Sequence, residues 1–271
     1  MNKTVIITGC SSGIDKATAL YFGERGYNVI ATMRTPEREN GLEGVKHIDI
    51  QKMDVTDRDS IKAVVGYAIE KFGTVDVLVN NAGIGVFGAF EAADEDLIRK
   101  QFDTNVFGVM NTIKEILPHF RSRKKGKIIN ISSGVGKVPL PMQSLYGSTK
   151  FALEGFSESL HYELSSLGIS VKIVLPGNIK TDFFKSLYVT DITGFPDYKA
   201  YQQKVLTNIE KLNEKTGASP EFVASIIYKA ATDNKNKLRY LAGKDISLFA
   251  KVRKILPDSL FMKVIKNKLE K

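Results

Sequence analysis

Residues 4–15 read TVIITGCSSGID and predict the architecture of the whole chain. The run from Thr4 to Ile7 is short, apolar and β-branched, which is typical of a buried strand. A glycine-rich turn from Gly9 to Gly13 follows it directly and opens into a helical pattern. Glycines let the backbone approach phosphate groups closely, and the free N–H groups of a helix N-terminus attract anions. This stretch therefore predicts a strand–turn–helix unit that holds a dinucleotide pyrophosphate.

The same alternation of short strands and amphipathic helices continues along the chain. Seven buried strands are predicted, at Thr4–Ile7, Asn28–Thr32, Lys46–Gln51, Val75–Val79, Lys127–Ile131, Ser170–Val174 and Leu238–Leu241. Helical patterns lie between them, for example at Asp15–Arg25, Asp59–Lys71, Asp94–Leu117, Ser144–Leu167 and Pro220–Thr232. This order predicts a single α/β domain of the Rossmann-like, doubly wound type, in which a seven-stranded parallel sheet is flanked by helices on both faces.

The composition is that of a globular protein, since 43 % of the 271 residues are hydrophobic and 25 % are charged. The single cysteine, Cys10, excludes an internal disulfide framework, and three scattered histidines offer no metal-ligand spacing, so we expect no metal site. No stretch approaches the roughly 20 apolar residues that a membrane span needs. We expect a soluble, cytoplasmic protein with a nucleotide-binding catalytic domain over residues 1–243 and a helical C-terminal extension of the same domain over residues 244–271.

The C-terminal extension is strongly basic. Residues 251–271 contain seven lysines and arginines against two acidic residues, within a chain whose net charge is +9. A solvated, charged helix is one interpretation of this segment, and attraction to an anionic partner is another. Its apolar residues at helical spacing would suit packing on the domain, a partner subunit or weak peripheral contact with a membrane, and they are Leu256, Leu260, Phe261, Val264 and Ile265. We do not expect binding of nucleic acid.

A long stretch before the helix at Pro220 is predicted to be irregular, from about residue 181 to residue 219. It is rich in aromatic and apolar residues, namely Phe183, Phe184, Leu187, Tyr188, Phe195, Pro196, Tyr198 and Tyr201. Irregular segments of this length in compact domains are usually active-site covers or binding loops, so we predict a lid over an apolar substrate. The alternative is a helical surface insertion whose aromatic side chains face the core.

A candidate proton-transfer site lies in the middle of the chain. Tyr146 and Lys150 are four residues apart on a predicted helix, which places the phenol and the ammonium group on one face. Ser133 follows the fifth predicted strand, and Asn105 lies on the preceding helix. A cation near a phenol lowers its pKa toward the range in which protons exchange efficiently. We therefore predict that Lys150 lowers the pKa of Tyr146.

Together with the glycine turn, this constellation resembles the short-chain dehydrogenase/reductase family, and within it the steroid and retinol dehydrogenase branch. The family's first loop usually reads Thr-Gly-x-x-x-Gly-x-Gly, and this chain matches it from Thr8 to Ile14 but has Asp15 in the last position. Further matches are Asp54-Val55, Asn80-Asn81-Ala82-Gly83 and Pro176-Gly177-Asn178-Ile179-Lys180-Thr181. The matches span residues 4 to about 181.

The resemblance implies a hydride-transferring oxidoreductase with four catalytic residues. Tyr146 would be the general acid in reduction and the general base in oxidation, and Lys150 would also bond the nicotinamide ribose. Ser133 would hold the substrate oxygen, and Asn105 would hold a water that links Lys150 to solvent. The implied cofactor-binding residues are Gly9, Ser11, Ser12, Gly13, Ile14, Arg34, Asp54, Val55, Asn80, Ala82, Gly83, Tyr146, Lys150, Pro176, Gly177, Ile179 and Thr181. The helices that carry Asn105 and Tyr146 commonly pair between subunits in the family, which implies a homodimer or homotetramer.

The residues after the second predicted strand favour NADP(H) over NAD(H). An acidic side chain there would accept a hydrogen bond from a ribose hydroxyl, but Thr32, Met33 and Arg34 include none. The guanidinium of Arg34 can pair with a ribose 2′-phosphate in bidentate fashion, and Ser11 and Ser12 offer hydroxyl donors to the same phosphate. An ordinary surface arginine is the alternative interpretation of Arg34.

The resemblance favours a small-molecule carbonyl or alcohol substrate of apolar character, because TGCSSGI and ATMR are similar to the steroid and retinol branch. The first alternative is a 3-oxoacyl carrier-protein reductase, in which a basic rim would dock an acidic carrier. The second alternative belongs to another class and is an NADP(H)-binding sensor or scaffold with little catalysis. The acidic Asp15 in the phosphate loop and the basic tail motivate it.

Overall fold

A computed structural model describes residues 2–38, 41–181, 183 and 186–270 of the chain. Of the predicted lid, Asp182, Phe184 and Lys185 lie outside the described residues, and so does Lys271 of the basic extension. The strands of the described ranges are β1 (Thr4–Thr8), β2 (Asn28–Met33), β3 (Ile48–Lys52), β4 (Val77–Asn80), β5 (Val86–Phe87), β6 (Gly126–Ile131), β7 (Ile169–Pro176), β8 (Tyr188–Val189) and β9 (Arg239–Ala242).

Seven of these strands form one parallel sheet in the order β3-β2-β1-β4-β6-β7-β9. The short strands β5 and β8 pair with each other in a separate two-stranded sheet. The predicted seven-stranded, parallel, doubly wound sheet is confirmed. The strand order reverses between β1 and β4, and in such folds ligands bind outside the carboxyl ends of the strands at this point.

The helices of the described ranges are α1 (Gly13–Gly23), α2 (Arg58–Phe72), α3 (Glu95–Phe102), α4 (Gly108–Ser122), α5 (Ser144–Ser165), α6 (Lys199–Thr216), α7 (Pro220–Thr232), α8 (Lys244–Ile255) and α9 (Asp258–Leu269). Local chemistry sets several of their ends. Asp57 caps α2 by accepting a hydrogen bond from the backbone N–H of Asp59 at 2.9 Å, and Gly73 ends the helix with a φ of 72°. Ser219 caps α7 in the same way, directly before Pro220.

The sheet is buried on both faces because its strands carry continuous apolar runs. Val5 and Ile7 of β1 lie in one core cluster, which α1 and α7 cover. Ile6, between them in sequence, lies in the opposite cluster, which α2, α4 and α5 cover. This two-sided burial explains why the strands read as unbroken hydrophobic segments in the sequence.

Two parts of the chain differ from the prediction. The helix predicted at Asp94–Leu117 is divided into α3 and α4 by a wide, π-helical turn at Asp103–Phe107. The stretch predicted to be irregular contains the 18-residue helix α6, so the prediction was wrong there. The buried residues of α6 are Gln202, Val205 and Ile209. They form an apolar face that is too narrow to give a clear helical period in the sequence.

The C-terminal extension folds back onto the domain as α8 and α9. Phe261 and Ile265 of α9 are buried in a third apolar cluster, to which α6 and α8 also contribute. Leu260 and Val264, each of which precedes one of these buried residues, remain exposed. The predicted apolar stripe is therefore divided between an inner face that packs on the domain and an outer face that reaches solvent.

Candidate active site

A cavity of about 1000 Å³ lies at the carboxyl ends of the sheet strands, where the strand order reverses. Most residues predicted for the site line it, namely Gly9, Ser11, Ser12, Gly13, Ile14, Arg34, Asp54, Val55, Ala82, Gly83, Ser133, Tyr146, Lys150, Pro176, Gly177, Ile179 and Thr181. Asn80 and Asn105 are not part of this lining. The fold thus brings residues that are more than 170 positions apart in sequence to the same crevice.

The glycine turn after β1 is shaped for close contact with a ligand. Gly9 has a φ of +89°, and a Cβ atom there would come within 2.9 Å of the Cα atom of Ala82. Gly13 has a φ of +62° and begins α1. The hydroxyl of Thr8 accepts hydrogen bonds from the backbone N–H groups of Asn81 and Ala82, at 3.0 and 2.9 Å, and so ties the ends of β1 and β4 together. Only glycine suits Gly9, because any side chain would collide with the loop after β4.

The N-terminus of α1 faces this cavity without a side-chain cap, since Ser12 makes no capping hydrogen bond. The free N–H groups of such a helix end bind phosphate anions. A glycine cradle that admits no Cβ atom and an uncapped helix end beside it fit the pyrophosphate of a dinucleotide. The residues present therefore fit the cofactor that the sequence predicts.

Helix α5 places Tyr146 and Lys150 one turn apart on the wall of the cavity. The ammonium group of Lys150 donates a hydrogen bond to the backbone carbonyl of Ile131 at 3.0 Å and lies 5.7 Å from the centre of the Tyr146 ring. Ser133 hydrogen-bonds the Tyr146 side chain. The three side chains thus meet at the end of β6, as the sequence predicted.

Burial dominates the protonation equilibria of this group. Burial raises the pKa of Tyr146 to about 12, and the hydrogen bond with Ser133 lowers it only partly. Burial lowers the pKa of Lys150 to about 8, opposed by the carboxyl group of Asp15. The pKa of Tyr146 is therefore raised, whereas the sequence predicted that Lys150 lowers it, because burial dominates and the Lys150 ammonium group is directed to a backbone carbonyl rather than to the phenol oxygen.

Asn105 lies in the π-helical turn, 1 % exposed, and holds the loop after β4 to α5. Its Oδ1 accepts from the backbone N–H of Ile84 at 2.8 Å, and its Nδ2 donates to the carbonyl of Ile84 at 2.8 Å and to the hydroxyl of Thr149 at 3.1 Å. Both N–H groups of the amide are therefore used by the protein. The structure places Asn105 directly behind the cavity wall.

Asn80 is also engaged away from the cavity. Its Nδ2 donates to Oδ1 of Asn130 at 3.0 Å, and its Oδ1 accepts from the hydroxyl of Thr112 at 2.7 Å. This buried network connects β4, β6 and α4. The family resemblance placed Asn80 in the site, but its side chain points into the network rather than to the crevice.

Arg34 and Asp54, which follow β2 and β3, also line the cavity. Arg34 follows β2 at the rim of the cavity and is exposed, whereas Thr32 and Met33 before it are buried. The carboxylate of Asp54 accepts from the backbone N–H and the hydroxyl of Thr56, at 2.9 and 2.8 Å. The residues that follow β2 directly are Arg34, Thr35 and Pro36, and none of them carries a carboxylate. The guanidinium of Arg34 is therefore the charged group at this position.

The far end of the cavity is apolar, and part of its wall comes from the stretch between residues 181 and 219, for which a lid was predicted, whereas the contribution of α8 and α9 was not predicted. The walls are formed by Leu187, Ile209, Leu212, Ile246, Phe249, Ile265 and Leu269, which lie mainly on α6, α8 and α9. The ring of Phe183, which also lines the cavity, lies 5.8 Å from that of Tyr146. The helical spacing of Phe261 and Ile265 was visible in the sequence, but which surface they face depends on the path of the chain between α7 and α9.

Comparison with known proteins identifies the family. The family model described as short chain dehydrogenase matches residues 3–191. The chain belongs to the short-chain dehydrogenase family. It is 37 % identical to 3-ketodihydrosphingosine reductase of Bacteroides thetaiotaomicron, over 95 % of this chain and 94 % of that protein. It is 32 % identical to retinol dehydrogenase 8 of Homo sapiens, over 88 % of this chain and 80 % of that protein.

Solved structures are similar over most of this short-chain dehydrogenase. A short-chain dehydrogenase from Streptomyces avermitilis shares 33 % identity with a TM-score of 0.84, over 98 % of this chain and 95 % of that chain. The structure of ElxO with NADP bound shares 30 % identity with a TM-score of 0.72, over 89 % of this chain and 98 % of that chain. The protein is thus a nucleotide-binding oxidoreductase of the Rossmann type, and the predicted retinol dehydrogenase-like branch is confirmed. Within the described ranges, no helix is long and apolar enough to cross a membrane.

Proposed function

We propose that this chain reduces the carbonyl group of an apolar ketone or aldehyde with NADPH, and oxidises the matching alcohol in reverse. The observation that carries the proposal is the meeting of Tyr146, Ser133 and Lys150 in the crevice that also holds the glycine turn. Bound NADPH would supply the hydride for the carbonyl carbon. All other steps fall to side chains of this chain.

In the reductive direction, the hydroxyl of Tyr146 donates its proton to the substrate oxygen while the carbonyl carbon is reduced, which yields an alcohol. A phenol with a pKa of about 12 is protonated at neutral pH, so this residue begins in the form that reduction needs. Ser133 holds the substrate oxygen and stabilises the negative charge that develops on it. Lys150 binds the ribose hydroxyls and adds positive charge next to the phenol. Asn105 positions the loop and α5 on which these groups depend.

Arg34 supports the preference for NADP(H). It is the charged residue at the end of β2, and Lys16 and Lys180 also line the cavity. Positive charge on the cavity wall favours a cofactor with an additional phosphate group. ElxO, which has been solved with NADP bound, adds support through its 30 % identity.

The apolar far end of the cavity supports a hydrophobic substrate. Its walls carry leucine, isoleucine and phenylalanine side chains, and the ring of Phe183 lies 5.8 Å from that of Tyr146 in the same cavity. The two named relatives are called after 3-ketodihydrosphingosine and retinol, and both molecules are largely hydrocarbon. Burial of such a chain against these walls would contribute about 25 cal/mol for each square ångström removed from water.

A carrier-protein reductase is the second candidate, and the exposed lysines of α9 favour it. Lys266 is exposed on α9, and Lys268 on the same helix lines the cavity. An acidic carrier could dock there and deliver a tethered acyl chain into the apolar end. Strong salt dependence of turnover on carrier-bound but not on free substrates would favour this candidate over the first.

The experiment for the proposed function is a screen of NADPH consumption over apolar ketones, aldehydes and quinones, with polar ketones of matched size as controls. We expect turnover of apolar carbonyl compounds and a lower KM as their hydrocarbon portion grows. NADPH binding without turnover of any compound, free or carrier-bound, would contradict the proposal and support a sensor or scaffold.

A homo-oligomer and a cytoplasmic location stay predictions. Exposed aromatic residues near the elements that carry Asn105 and Tyr146 support subunit pairing. They are Phe107 at the end of the π-helical turn, and Phe151 and Tyr162 on α5, which are 52 %, 43 % and 70 % exposed. Phe151 and Tyr162 are eleven residues apart on α5 and hence on one face. Burial of such aromatic side chains is a frequent driving force for association.

A further inference from the structure

Glu154 is a buried acidic residue of α5 that takes no part in the proposed proton transfer. It lies one turn after Lys150 and two turns after Tyr146, and it is only 3 % exposed. Taking a carboxylate out of water is unfavourable unless cations and hydrogen bonds compensate it. The partners of Glu154 therefore indicate what the residue does.

Two cations from different elements meet at one oxygen of Glu154. Nε of Arg239, at the start of β9, donates a hydrogen bond to Oε2 at 2.8 Å. Nζ of Lys137 lies 3.0 Å from the same oxygen. Lys137 ends the segment of residues 133–137, which we call the serine turn because Ser133 caps its single helical turn. One carboxylate thus joins α5 to β9 and to the serine turn.

The serine turn also packs directly on α5. Gly136 is buried, and a Cβ atom there would come within 3.1 Å of the carbonyl oxygen of Lys150 and within 3.3 Å of Cγ of Glu154. A side chain at this position would push the turn away from the helix. Ser133 and Tyr146 hydrogen-bond from the two sides of this contact. A shift of the turn along α5 therefore changes the distance between them.

The two ends of the serine turn are held in different ways. Directly before it, the backbone N–H of Ser132 donates to the carbonyl of Val174 at 2.9 Å and so continues the sheet. At its end, the side chain of Lys137 reaches the carboxylate of Glu154, which is 4 % exposed. A carboxylate at this depth is screened by solvent much less than one on the surface. The ion pair thus links the end of the turn to the helix that carries Tyr146.

We propose that Glu154 is a positioning residue that acts through Lys137: it holds the serine turn on α5 and so keeps Oγ of Ser133 in place beside the Tyr146 hydroxyl and the substrate oxygen. This inference rests on the proposed function, in which Ser133 and Tyr146 act on the substrate. Neither Glu154 nor Lys137 is part of the cavity lining, so neither acts on the substrate directly. Displacement of a reacting group by about 1 Å can lower a rate about 100-fold.

Lys137→Ala releases the turn and leaves the buried pair of Glu154 and Arg239 intact. We expect kcat to fall about 5- to 50-fold, since Ser133 stabilises the charge that develops on the substrate oxygen. The KM for the ketone and the Kd for NADPH should change by less than about twofold, because the lost interaction strengthens only in the transition state. Lys137→Arg retains the cation and should keep kcat within about threefold of the wild type.

A double-mutant cycle with Ser133→Ala separates positioning from a general loss of structure. Ser133→Ala alone should lower kcat about 100-fold, since one hydrogen-bond donor to the developing charge is lost. If Glu154 and Lys137 act through Ser133, adding Lys137→Ala to this variant lowers kcat by less than about twofold. A general loss of structure would lower kcat by the same factor in both backgrounds.

Lys71→Ala is the matched control for the loss of an ion pair. Nζ of Lys71, on α2, lies 2.6 Å from a carboxylate oxygen of Asp49, and neither residue is part of the cavity lining. This variant should keep the kcat of its parent in both backgrounds. Lys137→Met removes the charge but keeps an apolar stem, so it repeats the cycle independently. Thermal unfolding and a fluorescence titration with NADPH establish that each variant is folded and binds the cofactor.

A large effect of Lys137→Ala that disappears in the Ser133→Ala background supports the proposal. Equal factors in both backgrounds overturn it, and so does a kcat of Lys137→Ala within about twofold of the wild type. The failure of the proposed function has a different signature. In that case the wild type itself turns over no carbonyl compound, and the positioning role is refuted with it.

Discussion

Burial stabilises the uncharged forms of the Tyr146 and Lys150 side chains relative to their charged forms. The pKa of Tyr146 lies at about 12 and that of Lys150 at about 8, and burial is the largest cause of each shift. A phenol that keeps its proton suits proton donation, while a lysine near neutrality loses its charge in mildly alkaline solution. We therefore expect Lys150, rather than Tyr146, to set the alkaline limit of reduction.

The pH profile of reduction tests this assignment. Lys150 is protonated below a pH of about 8 and neutral above it, so kcat at saturating NADPH and substrate should be level below that pH and decrease above it. In Lys150→Arg the guanidinium stays charged, and we expect lower activity with no decrease near pH 8. The same alkaline decrease in both proteins would assign it to another group.

Arg34 is expected to decide between the two cofactors. Arg34→Ala removes the guanidinium at the end of β2, and the ratio of kcat/KM for NADPH to that for NADH should fall about 10- to 100-fold, which corresponds to a charge-assisted hydrogen bond. Arg58→Ala, a change of an exposed arginine at the start of α2, is the control. Equal efficiency of the two cofactors in the wild type would contradict the role of Arg34.

The spacing of Tyr146, Lys150 and Ser133 could be predicted from the sequence because a helix and a strand end have regular geometry. The direction of the Lys150 ammonium group could not, since it depends on the carbonyl of Ile131 from another strand. The buried amide network of Asn80 likewise depends on Asn130 and Thr112, which are far away in sequence. Residue types at strand ends thus predicted the location of the site, but not which side chains face the crevice.

At the scale of elements, α9 forms a wall of the apolar end of the cavity, where we propose that the substrate binds. Ile265→Ala should lower the free energy of unfolding by about 2 to 4 kcal/mol and increase the KM for apolar substrates, because a buried wall residue is lost. The Kd for NADPH should not change. Val264→Ala is the matched control, since Val264 is the preceding residue of the same helix and is 38 % exposed. Equal KM values in both variants would show that α9 does not contact the substrate.

The elements that the sequence predicted least well are those held in place by contacts with residues that are far away in sequence. The π-helical turn at Asp103–Phe107 exists within a continuous helical pattern, and the hydrogen bonds of Asn105 to Ile84 and Thr149 hold it there. Helix α6 has few apolar positions and is covered by α9 from the end of the chain. The parallel strands were predicted well because burial on both faces makes their sequences apolar throughout.

At the scale of the whole molecule, the outer face of α8 and α9 combines lysines with exposed apolar residues. Leu248, Ile255, Leu260, Met262 and Val264 are exposed there, and so are Lys251, Lys254, Lys263 and Lys266. The acids of this region are engaged, since Asp258 pairs with Arg253 and Glu270 accepts from the hydroxyl of Tyr201 at 2.7 Å. Such a face would suit weak contact with an anionic membrane.

Sedimentation with vesicles tests this contact. We expect binding to vesicles that contain phosphatidylserine and none to phosphatidylcholine vesicles, with loss of binding in Lys263→Glu/Lys266→Glu. The control is Lys62→Glu/Lys114→Glu, which makes the same change of charge at exposed lysines of α2 and α4. Equal losses in both double variants would mean that net charge alone, and not this face, is responsible.

The most direct test of the central claim is the turnover of Tyr146→Phe. The substitution removes one hydroxyl group from the half-buried pair with Ser133 and leaves the ring against Phe183. We predict that kcat with NADPH and an apolar ketone falls by about 10²- to 10⁴-fold while the Kd for NADPH stays within about twofold of the wild type. Tyr162→Phe, at a 70 % exposed position of the same helix, should retain full turnover. Unchanged turnover of Tyr146→Phe would contradict the assignment of Tyr146 as the proton donor.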